Sequence, residues 1–237
     1  KNLYTHISRN SIIRRTQIMN NNLTKLVFIL DKSGSMWPLT KETIGGYNAL
    51  IADQKTKEGE CEVTTVLFSS SRQKLIDNLP IAEVPEMTNR DYVANGMTAL
   101  LDAVGMTIDE VGQELAAREE KDRPGKVIVI INTDGEENAS MEYTASRIRE
   151  MIEHQQNKYN WVFMFLGANI NAEKVGSSYG IKSGYSKTYT ASAANTDALY
   201  CAMSKGVSNL RGIDAEDWNT QSCTIDCTIA QMMDEVE

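Results

Sequence analysis

Five residues with oxygen-bearing side chains occur in three short polar groups, each beside a segment with the pattern of a strand or a helix. They are Asp31, Ser33, Ser35, Thr98 and Asp134. Carboxylate and hydroxyl oxygens are hard ligands, which favour Mg²⁺, Mn²⁺ or Ca²⁺ over zinc and copper. We therefore predict a divalent cation site, with Mg²⁺ as the expected cofactor and Mn²⁺ or Ca²⁺ as alternatives.

The charges of this set indicate what a bound cation would still attract. Asp31 and Asp134 together would neutralise a divalent ion, and the hydroxyl groups of the other three residues add no charge. Such an ion keeps its attraction for one more anionic oxygen, from water or from a partner. Gly34 lies between the two serines, and its conformational freedom allows the tight turn that would bring both hydroxyls to one point.

Apolar runs and helical patterns alternate along the chain, which predicts an α/β fold. Buried strands are predicted at 25–30, 61–68, 126–132 and 161–166, with a short hairpin partner at 72–76 and a weak strand at 185–189. Helices are predicted at 41–57, 99–118, 140–156, 172–179 and 196–210. This order is typical of a doubly wound, mostly parallel sheet with helices on both faces, whose ligands bind beyond the carboxyl ends of the strands.

The polar groups also carry a family resemblance. DKSGS at 31–35, GMTALLD around Thr98 and NTDGEEN around Asp134 resemble the metal-ion-dependent adhesion site of von Willebrand factor A (VWA) domains. The resemblance implies a Rossmann-like VWA fold with one antiparallel edge strand. The spacing is similar to that of compact bacterial, intracellular members, some of which are grouped with tellurite-resistance and stress-response systems or with MoxR-type ATPases.

In this family the metal serves adhesion, so the resemblance implies a metal-dependent protein-interaction module that is not an enzyme. Ser33 and Ser35 would bind the metal directly, and Thr98 directly or through water. Asp31 and Asp134 would act largely through water or as acceptors that fix the hydroxyls. An Asp or Glu of a protein partner would complete the coordination. The resemblance also points to a MoxR-type ATPase or stress-response components as partners, and to a cytoplasmic location.

An uneven distribution of charge divides the 237-residue chain into three predicted parts. Residues 1–22 hold four basic and no acidic side chains, which predicts a disordered arm or an upstream extension. Residues 23–212 form the predicted VWA domain, and residues 213–237 form a tail with seven acidic and no Lys or Arg side chains. A net charge of −8 argues against nucleic acid as a partner, and no apolar run is long enough for a membrane span.

The main alternative is a metal-dependent hydrolase or phosphatase that uses the same cation to activate water. A phosphatase with an aspartate nucleophile needs a second carboxylate two residues later, where this chain has Ser33. A serine hydrolase needs a histidine base, and the sequence offers only His6 and His154.

Three further features each allow two interpretations. Glu136 and Glu137 are either rim ligands of the metal or the solvated start of a loop, and we favour the loop. Trp37 is either a contact for a partner or a packed residue. The four cysteines favour reduced thiols in a cytosolic protein, and the pair Cys223 and Cys227 lacks the second half of a zinc site.

Overall fold

A six-stranded sheet forms the centre of the computed structural model, which describes residues 19–221 and 223–236. The strands are β1 (Asn20–Asp31), β2 (Glu60–Phe68), β3 (Arg72–Pro80), β4 (Pro124–Thr133), β5 (Val162–Ala168) and β6 (Ser186–Tyr189). Their order in the sheet is β3-β2-β1-β4-β5-β6, and every neighbouring pair is parallel except β2 and β3. The predicted mostly parallel sheet with one antiparallel edge strand is confirmed.

Helices cover both faces of this sheet. They are α1 (Thr40–Gln54), α2 (Leu100–Ala117), α3 (Ala145–Tyr159), α4 (Ala172–Ser178), α5 (Ala193–Gly212), α6 (Ala215–Asn219) and α7 (Cys223–Asp234). On β1, Phe28 packs against Tyr47 of α1, whereas the Lys25 ammonium binds Glu114 of α2. Because Lys25 and Phe28 are an odd number of residues apart, they point to opposite faces of the strand. The helices α1 and α2 therefore lie on opposite faces.

The register of the parallel strands determines which residues meet at the carboxyl edge. In β1, Leu30 lies between Leu67 of β2 and Asn132 of β4, so the three strands end at nearly the same level. The residues that follow Leu30 and Asn132 along the chain consequently emerge side by side. Both faces of β1 and β4 are buried, which explains the continuous apolar runs in their sequences.

The helix α3 begins at Ala145, later than the start at residue 140 that its amphipathic pattern predicts. The carboxylate of Asp102 accepts hydrogen bonds from the backbone N–H groups of Met141, Glu142 and Tyr143, and this holds them outside the helix. The hydroxyl of Thr144 then caps the first turn by accepting from the N–H of Arg147.

The two ends of the described chain differ from the predicted outline. The strand β1 begins at Asn20, so residues 20–22 of the predicted arm belong to the sheet, and residues 1–18 lie outside the described part. The acidic segment after 212 contains α6 and α7. The helix α7 packs on α5, and its residues Ile229 and Met232 are buried. Within the described residues, no helix has both the length and the apolar character that crossing a membrane requires.

Two adjacent glycines of α1 allow a matched test of the packing between α1 and α5. A Cβ at Gly46 would lie 2.3 Å from Cδ2 of Tyr200, whereas a Cβ at Gly45 would meet nothing within 4 Å. We expect Gly46→Ala to lower the free energy of unfolding by about 1–3 kcal/mol through overpacking. Gly45→Ala should instead raise it by up to about 1 kcal/mol, because alanine favours a helix over glycine.

Urea denaturation of both variants measures this difference. Equal effects of the two substitutions would contradict the close contact between Gly46 and Tyr200.

Candidate metal centre

Three loops meet at the carboxyl edge of β1 and β4, and backbone hydrogen bonds join them. The N–H of Gly34, in the loop after β1, donates to the carbonyl of Gly96 at 3.0 Å. The loop that contains Gly96 ends at Thr98, whose N–H donates to Oδ1 of Asn138 at 2.9 Å. In return the N–H of Asn138, in the loop after β4, donates to the carbonyl of Thr98 at 3.1 Å. The three polar groups of the sequence are thus brought together.

Asp31, the last residue of β1, is fully buried, and both of its carboxylate oxygens are engaged. Oδ1 accepts from the N–H of Ser33 at 2.6 Å, and Oδ2 accepts from the hydroxyl of Thr133 at 2.5 Å. The backbone carbonyl of Asp31 also accepts a hydrogen bond from the hydroxyl of Tyr92, another fully buried residue. Asp31 therefore fixes the start of the first loop to β4 and to the loop that contains Tyr92.

A continuous row of oxygens extends from this carboxylate toward solvent. The hydroxyls of Ser33 and Ser35 are 3.1 Å apart, and the Ser35 hydroxyl donates to Oδ1 of Asp134 at 2.7 Å. Thr98 borders the same row, because a Cβ built on Gly135 would lie 2.9 Å from the Thr98 hydroxyl oxygen. Glycine at 135 therefore allows the Thr98 hydroxyl to approach the backbone beside Asp134.

The spacing of these oxygens fits a small divalent cation. Two adjacent ligands of an octahedral Mg²⁺ at 2.0–2.1 Å are about 3 Å apart, and the separations of 3.1 and 2.7 Å along Ser33, Ser35 and Asp134 are close to this value. Within residues 19–221 and 223–236, no three His, Cys, Asp or Glu side chains form a metal-binding group. A cation at this edge would therefore depend on the hydroxyl ligands.

The two carboxylates of the centre have an electrostatic reason to attract a cation. Burial raises the pKa of Asp31 to about 6, although hydrogen bonds from Thr133 and Ser33 oppose the rise, and the neighbouring charge of Asp134 adds to it. Burial also raises the pKa of Asp134. A nearby positive charge favours the ionised form of both groups, so a bound cation would relieve the cost of burying them.

Contrary to our expectation from the sequence, the structure does not place Glu137 in a solvated loop. Its carboxylate has a structural role that the sequence did not reveal. Its carboxylate accepts from the N–H groups of Leu101, Ala139 and Ser140 at 2.9, 2.8 and 2.7 Å, and from the Ser140 hydroxyl at 2.7 Å. Burial alone would raise the pKa of Glu137, but these hydrogen bonds outweigh it and lower the pKa. Glu137 thus binds the loop after β4 to the first turn of α2, while Glu136 is exposed.

Other candidates from the sequence lie away from this centre or lack partners for metal binding. His154 is on α3, beside Tyr159 at a ring-centroid distance of 5.7 Å. Cys223 and Cys227 are exposed on α7, and all four cysteines have free thiols. Tyr92, whose hydroxyl holds the Asp31 carbonyl, comes from an irregular segment that carries no recognisable motif.

The fold is similar to that of solved VWA structures. The chain resembles a von Willebrand factor type A protein from Catenulispora acidiphila, with 14% identity, a TM-score of 0.53 and coverage of 78% of this chain and 43% of that one. It resembles proximal thread matrix protein 1 from the mussel byssus, solved with a zinc-occupied MIDAS motif, with 18% identity, a TM-score of 0.54 and coverage of 80% and 47%. It also resembles the manganese-loaded TRAP protein of Plasmodium vivax, with 17% identity, a TM-score of 0.50 and coverage of 89% and 74%.

At these identities the likeness establishes the fold, and the chain has the VWA fold. The chain spans less than half the length of the first two structures. No family model matches the sequence, and no curated protein matches it.

The contacts of Glu137 predict a loss of stability that its exposed neighbour does not share. Removal of this carboxylate leaves three backbone N–H groups without their acceptor, a loss of about 1–3 kcal/mol where water can reach a half-buried site and replace part of the contacts. We expect Glu137→Ala to lower the free energy of unfolding by about 2 kcal/mol, measured by urea denaturation. Glu136→Ala should stay within about 0.5 kcal/mol of the parent protein. Similar losses in both variants would contradict the assigned role of Glu137.

Proposed function

We propose that this chain is a metal-dependent protein-interaction module in which Asp31, Ser33, Ser35, Thr98 and Asp134 hold a divalent cation. When bound, the cation supplies a positive site that accepts one carboxylate oxygen from an Asp or Glu of a partner protein. The observation that carries the proposal is the row of oxygens from Ser33 through Ser35 to Asp134, spaced as adjacent cation ligands. The metal-loaded MIDAS structure among the similar proteins supports it.

The residues of the centre have distinct tasks in this proposal. Asp31 is buried and holds Ser33 through the backbone, so its main task is to orient the hydroxyl ligands. Ser35 and Asp134 are less buried and lie at the solvent side, where a partner can approach. Thr133 fixes the second oxygen of Asp31 and keeps the first loop aligned with β4.

A binding function fits these side chains better than the alternative of a hydrolase. A metal-dependent hydrolase needs a group that accepts a proton from the attacking water. Both oxygens of Asp31 already accept hydrogen bonds, and one oxygen of Asp134 accepts from Ser35. His154, on α3, neighbours Tyr159 rather than any of the proposed ligands. We therefore propose an activity that consists of binding alone.

We further propose Mg²⁺ as the bound ion and the cytoplasm as the location of the protein. Similar structures contain zinc and manganese, which supports a divalent ion, and we retain Mg²⁺ as the proposed ion because its ligands are hard oxygens. A cytoplasmic location agrees with the four free thiols. The tellurite-resistance grouping and a MoxR-type ATPase partner rest on the sequence resemblance alone and stay predictions.

Removal of one proposed ligand should weaken metal binding. We expect calorimetric titration with Mn²⁺ or Mg²⁺ to show one site per chain, and Asp134→Ala to weaken the affinity at least about tenfold, as loss of a residue in a metal site usually does. Glu136→Ala, which removes the adjacent exposed carboxylate, should leave the affinity within about twofold. An unchanged affinity in Asp134→Ala, or no binding to the parent protein, would refute the ligand assignment.

Metal affinity should also fall in acid. Because the pKa of Asp31 is raised to about 6, most of this carboxyl is protonated at pH 5 and ionised at pH 7.5. Protons then compete with the cation, and we expect an affinity about tenfold weaker at pH 5 than at pH 7.5. Calorimetry in two buffers of different ionisation enthalpy should detect proton release near pH 6. The same affinity at both pH values, without proton release, would show that Asp31 ionises independently of the metal.

A pull-down experiment distinguishes the hypothesis of a binding module from that of a hydrolase. With the full chain immobilised in Mg²⁺, a protein partner should be retained, released by EDTA, and lost when Asp31→Ala or Asp134→Ala is the bait. If the partner is retained equally in the presence of EDTA and by both variants, the adhesion hypothesis is wrong. Turnover of a generic phosphoester that Asp134→Ala abolishes would instead favour the hydrolase.

A further inference from the structure

Exposed apolar side chains are concentrated on the face that carries the candidate metal centre. Five large hydrophobic residues are exposed in the described chain, and four of them lie on the three loops that form the candidate metal centre. These four, which we call the apolar rim, are Trp37, Val93, Met97 and Met141, with exposed fractions of 73, 49, 57 and 93%. The fifth, Tyr159, ends α3 at the opposite edge of the sheet. Trp37 is therefore not a packed core residue.

The backbone around the apolar rim is held in place, although its side chains are not covered. The N–H of Met97 donates to the Ser70 hydroxyl at 2.8 Å, and the N–H of Met141 donates to Asp102 at 2.8 Å. The N–H of Asn95, between Val93 and Met97, donates to the carbonyl of Lys32 at 2.8 Å. A surface fixed in this way loses little conformational entropy when a partner binds, which favours recognition.

Charge differs between the two sides of the metal centre. Residues 33–40 and 92–101 contain no charged side chain, so the two segments that carry Trp37, Val93 and Met97 are themselves neutral. The loop after β4 adds the exposed carboxylates of Glu136 and Glu142 on the other side. Those two carboxylates would repel a partner with a run of acidic residues, whereas a single acid among apolar side chains meets no such repulsion.

We propose that the apolar rim selects protein partners in which the metal-binding Asp or Glu is flanked by apolar side chains. Tryptophan is enriched among the residues that contribute most to interfaces, and methionine adapts to irregular apolar surfaces. Trp37 follows Ser35 by two residues and Met97 directly precedes Thr98, so this part of the rim borders two of the proposed ligands and one bound segment can reach both. This inference rests on the proposed function and adds the chemistry of the partner to it.

Selection from a peptide library tests the inference. The full chain, loaded with Mn²⁺, is used to select displayed peptides that contain one central Glu or Asp and three randomised residues on each side, and bound clones are eluted with EDTA. We expect apolar residues to be enriched next to the acid. The Kd of a selected peptide, measured by fluorescence polarisation, should rise at least about tenfold in Trp37→Ser and in Met97→Ser.

Matched controls distinguish failure of the inference from failure of the proposed function. Tyr159→Ser removes another large side chain, 50% exposed, from the opposite edge, and it should leave the Kd unchanged. Unchanged Mn²⁺ affinity in Trp37→Ser shows that the metal centre is intact in that variant. If the peptides eluted by EDTA lack apolar flanks, or if Trp37→Ser binds a selected peptide with the same Kd as the parent protein, the proposal for the apolar rim is wrong. The proposed metal-dependent binding would still hold.

Two other outcomes would overturn the proposal at a different level. If no clone is eluted by EDTA, the metal-dependent capture of a carboxylate fails, and the rim proposal fails with it. If sedimentation shows Mn²⁺-dependent self-association that Trp37→Ser abolishes, the rim binds a second copy of this chain rather than a separate partner.

Discussion

The buried carboxylate of Asp31 is the constraint on which the carboxyl edge of the sheet depends. An ionised group at the end of a central strand is costly to bury unless both oxygens are satisfied. The N–H of Ser33 and the hydroxyl of Thr133 satisfy them, and in doing so they tie the first loop to the adjacent strand. The Ser33 hydroxyl then lies beside that of Ser35, which donates to Asp134, the residue that follows β4 at the same level.

The loops around this carboxylate are connected by a second set of polar contacts on the side of α2. Glu137 and Asp102 each accept several backbone N–H groups, and together they fix the path of the chain from β4 to α3. Tyr92 holds the carbonyl of Asp31 from a third direction. Because buried polar groups need partners, each of these contacts limits how far a loop can move without losing another. These hydrogen bonds thus join the loops that carry the candidate metal centre to one another and to α2.

Much of this arrangement could be predicted from the sequence because it follows from local patterns. Continuous apolar runs indicated the parallel strands, and the polar residues directly after two of them indicated the candidate ligands. The contacts of Glu137 with Leu101 and of Tyr92 with Asp31 could not be predicted, since they join residues 36 and 61 positions apart through irregular loops. The late start of α3 was missed for the same reason, because Asp102 lies far from Met141 in sequence. Helical pattern alone does not reveal a competing acceptor.

The central claim is that this edge binds one divalent cation through side-chain hydroxyls, and the anomalous scattering of Mn²⁺ in crystals of the full chain tests it most directly. The account predicts one dominant anomalous peak beside the hydroxyl oxygens of Ser33 and Ser35, near Thr98 and Asp134. A map without a peak at these hydroxyls, or with Mn²⁺ bound only by exposed carboxylates such as those of Asp214 and Glu216, would contradict it.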